Sequence, residues 1–476
     1  MKHKKIRTTT AILCIGTILC ACGGKQATRQ ADEAVEAAPK APVIIETNHL
    51  NPGVQYTEER GISPANPPVI LDFTAKLPTQ PFALKDHFSK VTCVTLKSPL
   101  SPEQGTFLYD ASIIVSYDRG MSSASGVNTK IQLLENRILT NDLFGSFCFD
   151  SNGQITDTLL IAHIEGLKYD PATQKLEFHA NNMKSPIGNI SLEPGNQYSY
   201  TGRDTVNNYN IMGWKSLEDG RLVEEIRFID DKHSTLLASP DDSTLVNVSR
   251  NFRSPDMLTT FNKNSYDTLC IFGNYNLPTV KLSGPYAFPE SNWTYKNKDK
   301  FYFRQAFNDT IFSLSSPNRL LPEYILQFGE NKLTIDNGLY GDKSQKYAIQ
   351  SWVDTDHFIL ITYSRNYDCP NTRKEKSVFY SYALYNKDTK QLSLIQDNHS
   401  YPEEFLLPTE LPDGIPAILG ELTWQDNKLF TSYTKRKLEA LQKMDNFSKL
   451  PAEQQERVRQ LAGTLGEDEM IVMILE

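Results

Sequence analysis

The chain has 476 residues, with 49 Lys and Arg against 57 Asp and Glu, a formal charge of −8 and 39% hydrophobic residues. That acidic balance excludes nucleic acid and anionic headgroups as electrostatic partners, since both demand basic patches. The length allows a large core, and 22 Tyr with 23 Phe supply aromatic material for it.

The chain opens on a basic start (Lys2, Lys4, Lys5, Arg7) and a short apolar run from Ala11 to Leu19. A bilayer span takes about 20 apolar residues, so this run suits the apolar part of a secretory signal. Leu19-Cys20-Ala21-Cys22 matches the lipobox at which bacterial lipoprotein signals are cut. It predicts residues 1–21 as the signal peptide and Cys22 as the acylated first residue of the mature protein. Several acyl chains, each contributing about 0.8 kcal/mol per buried methylene, anchor a protein that one chain would hold only reversibly. Gly23, not aspartate, follows the cysteine, so the expected location is the outer membrane, with the side it faces left open. Residues 22–67 are expected to form the acylated cysteine and a polar tether, too poor in apolar side chains to fold alone. Within it, Gln30-Ala31-Asp32-Glu33 resembles the acidic surface-export signal of some Gram-negative lipoproteins. It lies further from the cysteine than usual, and a plain acidic linker reads equally well.

From Pro68 the pattern is β. Apolar runs recur at Val69-Ile70-Leu71, Ile113-Ile114-Val115, Tyr324-Ile325-Leu326, Phe358 to Ile361 and Val378 to Tyr385. Turn pairs stand among them at Asn152-Gly153, Asp219-Gly220, Asn337-Gly338 and Asp413-Gly414. Such pairs mark hairpins because their turn positions require positive φ. Asp-Thr followed by an aliphatic residue recurs at Asp157, Asp204, Asp267 and Asp309. The recurrence approximates the roughly 40–50-residue period of four-stranded propeller blades, and a propeller is the expected architecture. No sustained amphipathic helix is expected between residues 68 and 430.

The C-terminal part departs from this pattern. Lys435 to Met444 predicts one helix and Pro451 to Leu461 a second, with Pro451 at the first helical position and Gly463 at the stop. Met470 to Leu475 predicts a terminal strand, expected to pair with Val69–Phe73 and close the ring. Cys93, Cys148, Cys270 and Cys369 remain after processing. None stands at C-x-x-C spacing, and the apolar neighbours of Cys93, Cys148 and Cys270 favour buried free thiols.

The lipobox and tether, Phe82-Ala83-Leu84-Lys85-Asp86-His87-Phe88, Phe307-Asn308-Asp309-Thr310-Ile311-Phe312, Leu321 to Gly329 and the terminal strand together resemble a known group. These are the six-bladed β-propeller lipoproteins of unknown function from gut and oral Gram-negative bacteria. The resemblance covers most of residues 68–476. It implies an all-β, six-bladed β-propeller closed by N- and C-terminal strands, with a short C-terminal helical insertion. The family's glycine-rich, Asp-containing loop is only loosely echoed at Leu411-Pro412-Asp413-Gly414-Ile415-Pro416. The resemblance supplies no catalytic residues.

No H-E-x-x-H, G-x-S-x-G, P-loop or EF-hand sequence is present, and no catalytic residue, cofactor or metal is expected. Histidines at 49, 87, 163, 179, 233, 357 and 399 show no ligand spacing. Asp230-Asp231 and Asp241-Asp242 fall in turns, and adjacent residues of a strand point apart. Ligand-binding candidates are Trp352, His357, Tyr363, Arg365 and Tyr367, at the ends of strong strands. There, tyrosines flanking an arginine suit a sugar or a peptide carboxylate. The function expected first is a membrane-anchored binding module for a glycan, a peptide or a partner envelope protein. A propeller enzyme acting on glycans or lactones, and a structural subunit of an envelope complex, are the alternatives.

Overall fold

The computed structural model describes residues 43–46, 59–60, 66–101, 104–117, 120–161, 167–179, 187–204, 209–229, 235–241, 243–249, 254–265, 267–274, 276–279, 292–339, 343–366, 378–399 and 405–476. Most of them lie in strands, joined in chain order into four-stranded antiparallel sheets. Sheet 1 is Lys130–Leu134, Arg137–Asn141, Gly145–Asp150 and Ile155–Ile161. Sheet 2 is Ile187–Glu193, Gln197–Asp204, Tyr209–Ser216 and Leu222–Ile229. Sheet 3 is Thr235–Ala238, Thr244–Ser249, Asp256–Asn262 and Thr268–Gly273. Sheet 4 is Trp293–Asn297, Lys300–Arg304, Thr310–Ser316 and Arg319–Gln327. Sheet 5 is Tyr347–Asp354, Phe358–Arg365, Phe379–Asn386 and Gln391–His399. Sheet 6 takes Thr423–Gln425, Lys428–Thr434 and Glu469–Leu475 from the C-terminal part, and its last strand, Val91–Lys97, from near the other end of the chain.

Alternation along the strands sends successive side chains to different neighbours. In Gly145–Asp150, Phe147 and Phe149 enter the core shared by sheets 1 and 6, while Cys148 enters the core shared by sheets 1 and 2. In Phe358–Arg365, Phe358 and Leu360 pack toward sheet 6, and Ile359, Ile361 and Tyr363 toward sheet 4. Two-residue periodicity places both sets correctly only if each sheet is buried on both faces. The remaining cores follow in order. Met212, Trp214 and Ile226 meet Leu245 between sheets 2 and 3. Val248, Leu258 and Phe272 meet Phe301 and Phe303 between sheets 3 and 4. A fully buried side chain of this kind stabilises by about 1.5–3 kcal/mol.

The terminal strand pairs with Val91–Lys97, not with Val69–Phe73 as the sequence led us to expect. Val69–Asp72 instead adds in parallel to Tyr324–Gln327 of sheet 4. Both candidate strands are apolar, but Val91–Lys97 matches the seven-residue length of Glu469–Leu475 and Val69–Asp72 has four residues. Two segments of the expected tether also form strands. Val43–Glu46 pairs with Ile226–Ile229, and Glu59–Arg60 with Arg319–Leu320; the β-branched Val-Ile-Ile run explains the first.

The helices run Lys435–Leu441 and Ala452–Thr464. The first is capped by the Thr434 side chain, which accepts from the Lys437 N–H. Pro451 is the cap of the second rather than its first residue, and the helix passes through Gly463. Leu438, Leu441, Val458 and Ala462 bury their side chains in the sheet 5–sheet 6 core. Among the described residues, the α-helix between 68 and 430 is the short Ile335–Leu339, beside three single turns of 3-10 helix. It occupies the expected Asn337-Gly338 turn because Thr334 caps it, its Oγ1 accepting from the Asn337 N–H at 3.2 Å. A further sheet joins Ala111–Tyr117 and Gly120–Val127 to Lys168–Asp170 and Lys175–His179. The Asp-Thr recurrence does not mark blades: Thr158 and Thr268 lie on fourth strands, Thr310 on a third.

Candidate functional site

Sheets 4 and 5 meet along an aromatic seam. Their first strands begin Trp293-Thr294-Tyr295 and end Trp352-Val353-Asp354. With a period of two, each triplet sets its outer residues on one face. Trp293 and Trp352, both half-buried, stack at 26° with centroids 6.2 Å apart. Tyr295 lies flat on Tyr302, 4.5 Å away at 4°. Tyr324 meets Trp352 edge-on at 5.4 Å, and the buried Arg304 guanidinium lies 5.9 Å from the Trp293 ring.

A polar spine runs beneath these rings. The Trp352 indole N–H donates to the Tyr295 hydroxyl at 3.1 Å, and that hydroxyl donates to Asp354 Oδ2 at 2.7 Å. Lys387 Nζ donates to Asp354 Oδ1 at 2.5 Å and also to the Thr355 carbonyl. Asn297 Nδ2 donates to the Asp354 carbonyl at 2.9 Å. The Asp354 side chain is fully buried, so its charge needs both the lysine and the hydroxyl. Burial, then the Asp354 charge, pushes the Tyr295, Tyr302 and Tyr324 hydroxyls up, which keeps them protonated. Tyr295 therefore serves Asp354 as a fixed donor.

The structure separates the five sequence candidates. Trp352 belongs to the seam. Tyr363 is buried, with Phe73 edge-on at 5.2 Å and Tyr347 at 5.1 Å. Arg365 ends the same strand, its guanidinium 5.2 Å from the Phe379 ring. His357 is exposed in the hairpin turn, with Nδ1 3.5 Å from Asp388 Oδ2. Phe358–Arg365 rises about 3.3 Å per residue, so His357 and Arg365 stand at opposite ends of one strand and share no site. Tyr367 and Cys22 lie outside the described residues, as do Cys369, His163 and Asp230-Asp231. Cys93 and Cys148 are free thiols, and burial pushes the Cys93 thiol up to about 11.

Sequence reading missed Trp293, Tyr295, Asp354 and Lys387. Trp-x-Tyr and Trp-x-Asp are the patterns that would have found the first three, had the packing of these two sheets been known; Lys387 carries no such pattern. A second grouping crosses sheets 2, 3 and 4. Glu193 accepts from Ser199 Oγ at 2.7 Å, and burial pushes its carboxyl up against the pull of Lys296 and Lys263. Lys263 Nζ stands 4.7 Å from the Trp214 ring. Among the described residues no group of three or more His, Cys, Asp or Glu could hold a metal, and no helix is long and apolar enough to cross a membrane.

Sequential four-stranded sheets joined face to face, with side-chain groupings where they meet, define an all-β protein of propeller-like build. The chain belongs to the family described as a domain of unknown function, DUF4933, which matches residues 51–443. No curated protein matches it. Among solved structures it is similar to a DUF4221 member from Bacteroides vulgatus, at 10% identity over 82% of this chain and 98% of that one, with a TM-score of 0.41. It is also similar to the β-propeller domain of the Trilobed protease from Pyrococcus furiosus, at 10% identity over 68% and 78%, with a TM-score of 0.30. The WD40 domain of SCAP from fission yeast follows at 12% identity over 64% and 78%, with a TM-score of 0.28. At these values the likenesses carry no argument about blade number or function.

Proposed function

We propose that this chain is a lipid-anchored, six-bladed β-propeller of the outer membrane that acts as a binding module. Six blades are supported by the order of the inter-sheet cores: sheet 1 packs on sheet 2, each sheet on the next, and sheet 6 again on sheet 1 through Val94, Val472, Phe147 and Phe149. Closure is supported by the sheet that the N-terminal Val91–Lys97 and the C-terminal Glu469–Leu475 share. First strands also contact across sheets. Gln132 accepts from the Leu192 N–H at 3.1 Å, and Gln425 accepts from the Leu133 N–H at 3.1 Å. The anchor rests on the lipobox ending at Cys22.

The observation that carries the binding reading is the Trp293–Trp352 pair, two indoles left half-exposed over a buried ionic base. Rings held this rigidly offer a flat apolar surface at low entropic cost, the chemistry that takes a sugar ring or an aromatic peptide side chain. The test is tryptophan fluorescence of the purified chain against a panel of glycans and of peptides. A saturable change lost in Trp352→Ala, with thermal stability retained, is the expected result. No response from any member, or an equal response in the variant, overturns the site. For the anchor, Cys22→Ala is expected to release the protein from the membrane fraction.

A further inference from the structure

Thr79 bridges Leu394 in the last strand of sheet 5, and Val91–Lys97 is the last strand of sheet 6. The residues between them fill the joint where these two sheets meet. Phe82, Leu84 and Phe88 are buried there with Phe358 and Leu360 of sheet 5 and with Tyr433, Ile471 and Met473 of sheet 6. Phe88 touches both sides, edge-on to Phe358 at 6.3 Å and tilted against Trp424 at 6.5 Å. A single 3-10 turn at Leu84–Asp86 shapes the segment, and the His87 and Phe88 N–H groups both donate to the Leu84 carbonyl at 3.0 Å. The turn brings the His87 ring back over Phe82. The two rings stack at 28° with centroids 5.1 Å apart, and Phe358 meets the imidazole at 4.7 Å and 64°. The histidine is half-buried, so charging its ring there costs hydration that phenyl rings do not replace.

We infer that His87 is an acid-operated latch on the joint of sheets 5 and 6: protonated, it leaves its place between Phe82 and Phe358 and frees the segment that leads into Val91–Lys97. The charges around the ring do not offset the cost of burying a cation. Asp86 stands on the same segment, and His357 and Asp388 in turns of sheet 5. His357 is exposed, with Nδ1 3.5 Å from Asp388 Oδ2, so in acid it takes that carboxylate for itself and adds a like charge. The other carboxylates at the joint are already held, Glu410 by Lys85 and the terminal Glu476 by Lys90 and Lys428. Burial outweighs the pull of Asp86 and Asp388 and holds the His87 imidazole below the ordinary histidine range. The folded chain therefore binds this proton less readily than the unfolded chain does. What the neutral ring contributes is present above the ordinary histidine value of about 6.5 and is lost as pH falls below it. The inference depends neither on the aromatic seam nor on the anchor.

The test is amide hydrogen exchange of the full mature chain, corrected for intrinsic rates, at about pH 7.5 and about pH 5.5, on either side of the ordinary histidine value. Protection of the His87 and Phe88 amides, both bonded to Leu84, is expected to fall at least about threefold in acid. His87→Phe keeps a stacked ring without a charge, and its Phe88 amide should hold its protection across the same range. His357→Gln, in an exposed turn, serves where that variant does not fold. It removes the neighbouring charge and frees Asp388, so its fall should be smaller than the parent's. Unchanged or rising protection in the parent overturns the latch, because the imidazolium is then accommodated. An equal fall in His87→Phe also overturns it and assigns the response to a group other than the imidazole. So does a fall in His357→Gln as large as the parent's, where His87→Phe yields no folded protein.

Discussion

Asp354 fixes the seam because its fully buried carboxylate is shared between Tyr295 from sheet 4 and Lys387 from sheet 5. Removing one member of a buried pair leaves the other desolvated and uncompensated. Asp354→Ala is therefore expected to cost about 3 kcal/mol in urea unfolding. Asp354→Asn should cost less, since it keeps an acceptor for the Tyr295 hydroxyl. An Ala variant within about 0.5 kcal/mol of the parent, the range of ordinary surface substitutions, would show that the spine does not hold the two sheets. Asp142 tests burial differently. Its carboxylate accepts from Thr129 Oγ1 at 2.9 Å and from the Phe144 and Gly145 N–H groups at 2.9 and 3.3 Å, yet burial outweighs these bonds and pushes its pKa up to about 6. The folded state thus holds this proton more tightly than the unfolded chain does. Its contribution to stability falls as pH rises from the ordinary carboxylate range to about 6 and is constant above. Asp142→Asn should remove that slope, so the difference between variant and parent grows with pH up to about 6 and then levels; a difference independent of pH from 4 to 7 would contradict it.

Two turns with the same sequence logic make different demands on their glycines. Gly153 and Gly220 both adopt positive φ, +79° and +68°, in the Asn-Gly and Asp-Gly turns read from the sequence. A Cβ on Gly220 would meet nothing within 4 Å, whereas one on Gly153 would press into the Thr95 carbonyl of sheet 6. Gly220→Ala is expected to cost about 1 kcal/mol for the backbone alone. Gly153→Ala should cost a further 1–3 kcal/mol or so for overpacking against a backbone that cannot yield. Thermal denaturation of the two variants side by side checks this, and equal losses would mean that the turn does not bear on sheet 6. The contrast marks what was legible in the chain. Hairpins such as Gly145–Asp150 with Ile155–Ile161, and the helices after Thr434 and Pro451, follow from residues within one turn of each other. Asn337-Gly338 misled because a local cap, Thr334, outweighed the pair's turn preference. Trp352 was legible as an aromatic at a strong strand, but Trp293 and Tyr295 join it only through packing of separate sheets, and Lys387 only through strand pairing within sheet 5. The partner of the terminal strand was likewise hidden, since local pattern does not distinguish Val69–Asp72 from Val91–Lys97.

At the scale of the whole molecule, the proposed ring has a mechanical consequence. Val472 is buried and lies between two ladders, paired with Ser432 on one side and Val94 on the other. Beside it, the Glu476 carboxylate is held by Lys90 and Lys428, each at 3.0 Å, and its carbonyl accepts from the Ser89 and Lys90 N–H groups. These contacts tie one end of the chain to the other through sheet 6. If the sheets close on one another, loosening sheet 6 removes a neighbour from sheets 1 and 5, and theirs in turn, so no sheet keeps its stability alone. Val472→Ala should lower sheet 6 by about 1–3 kcal/mol from lost packing. Native-state hydrogen exchange reads where that loss is felt. Protection of Phe430 in sheet 6 and of Thr260 in sheet 3, halfway round the proposed ring, should fall by the same free energy. A fall at Phe430 with Thr260 unchanged would mean that the sheets open independently and that the ring does not act as one body. Val472→Pro, which takes a donor out of the shared ladder, should then leave no folded protein at all, whereas independent sheets would leave sheets 2 to 4 protected.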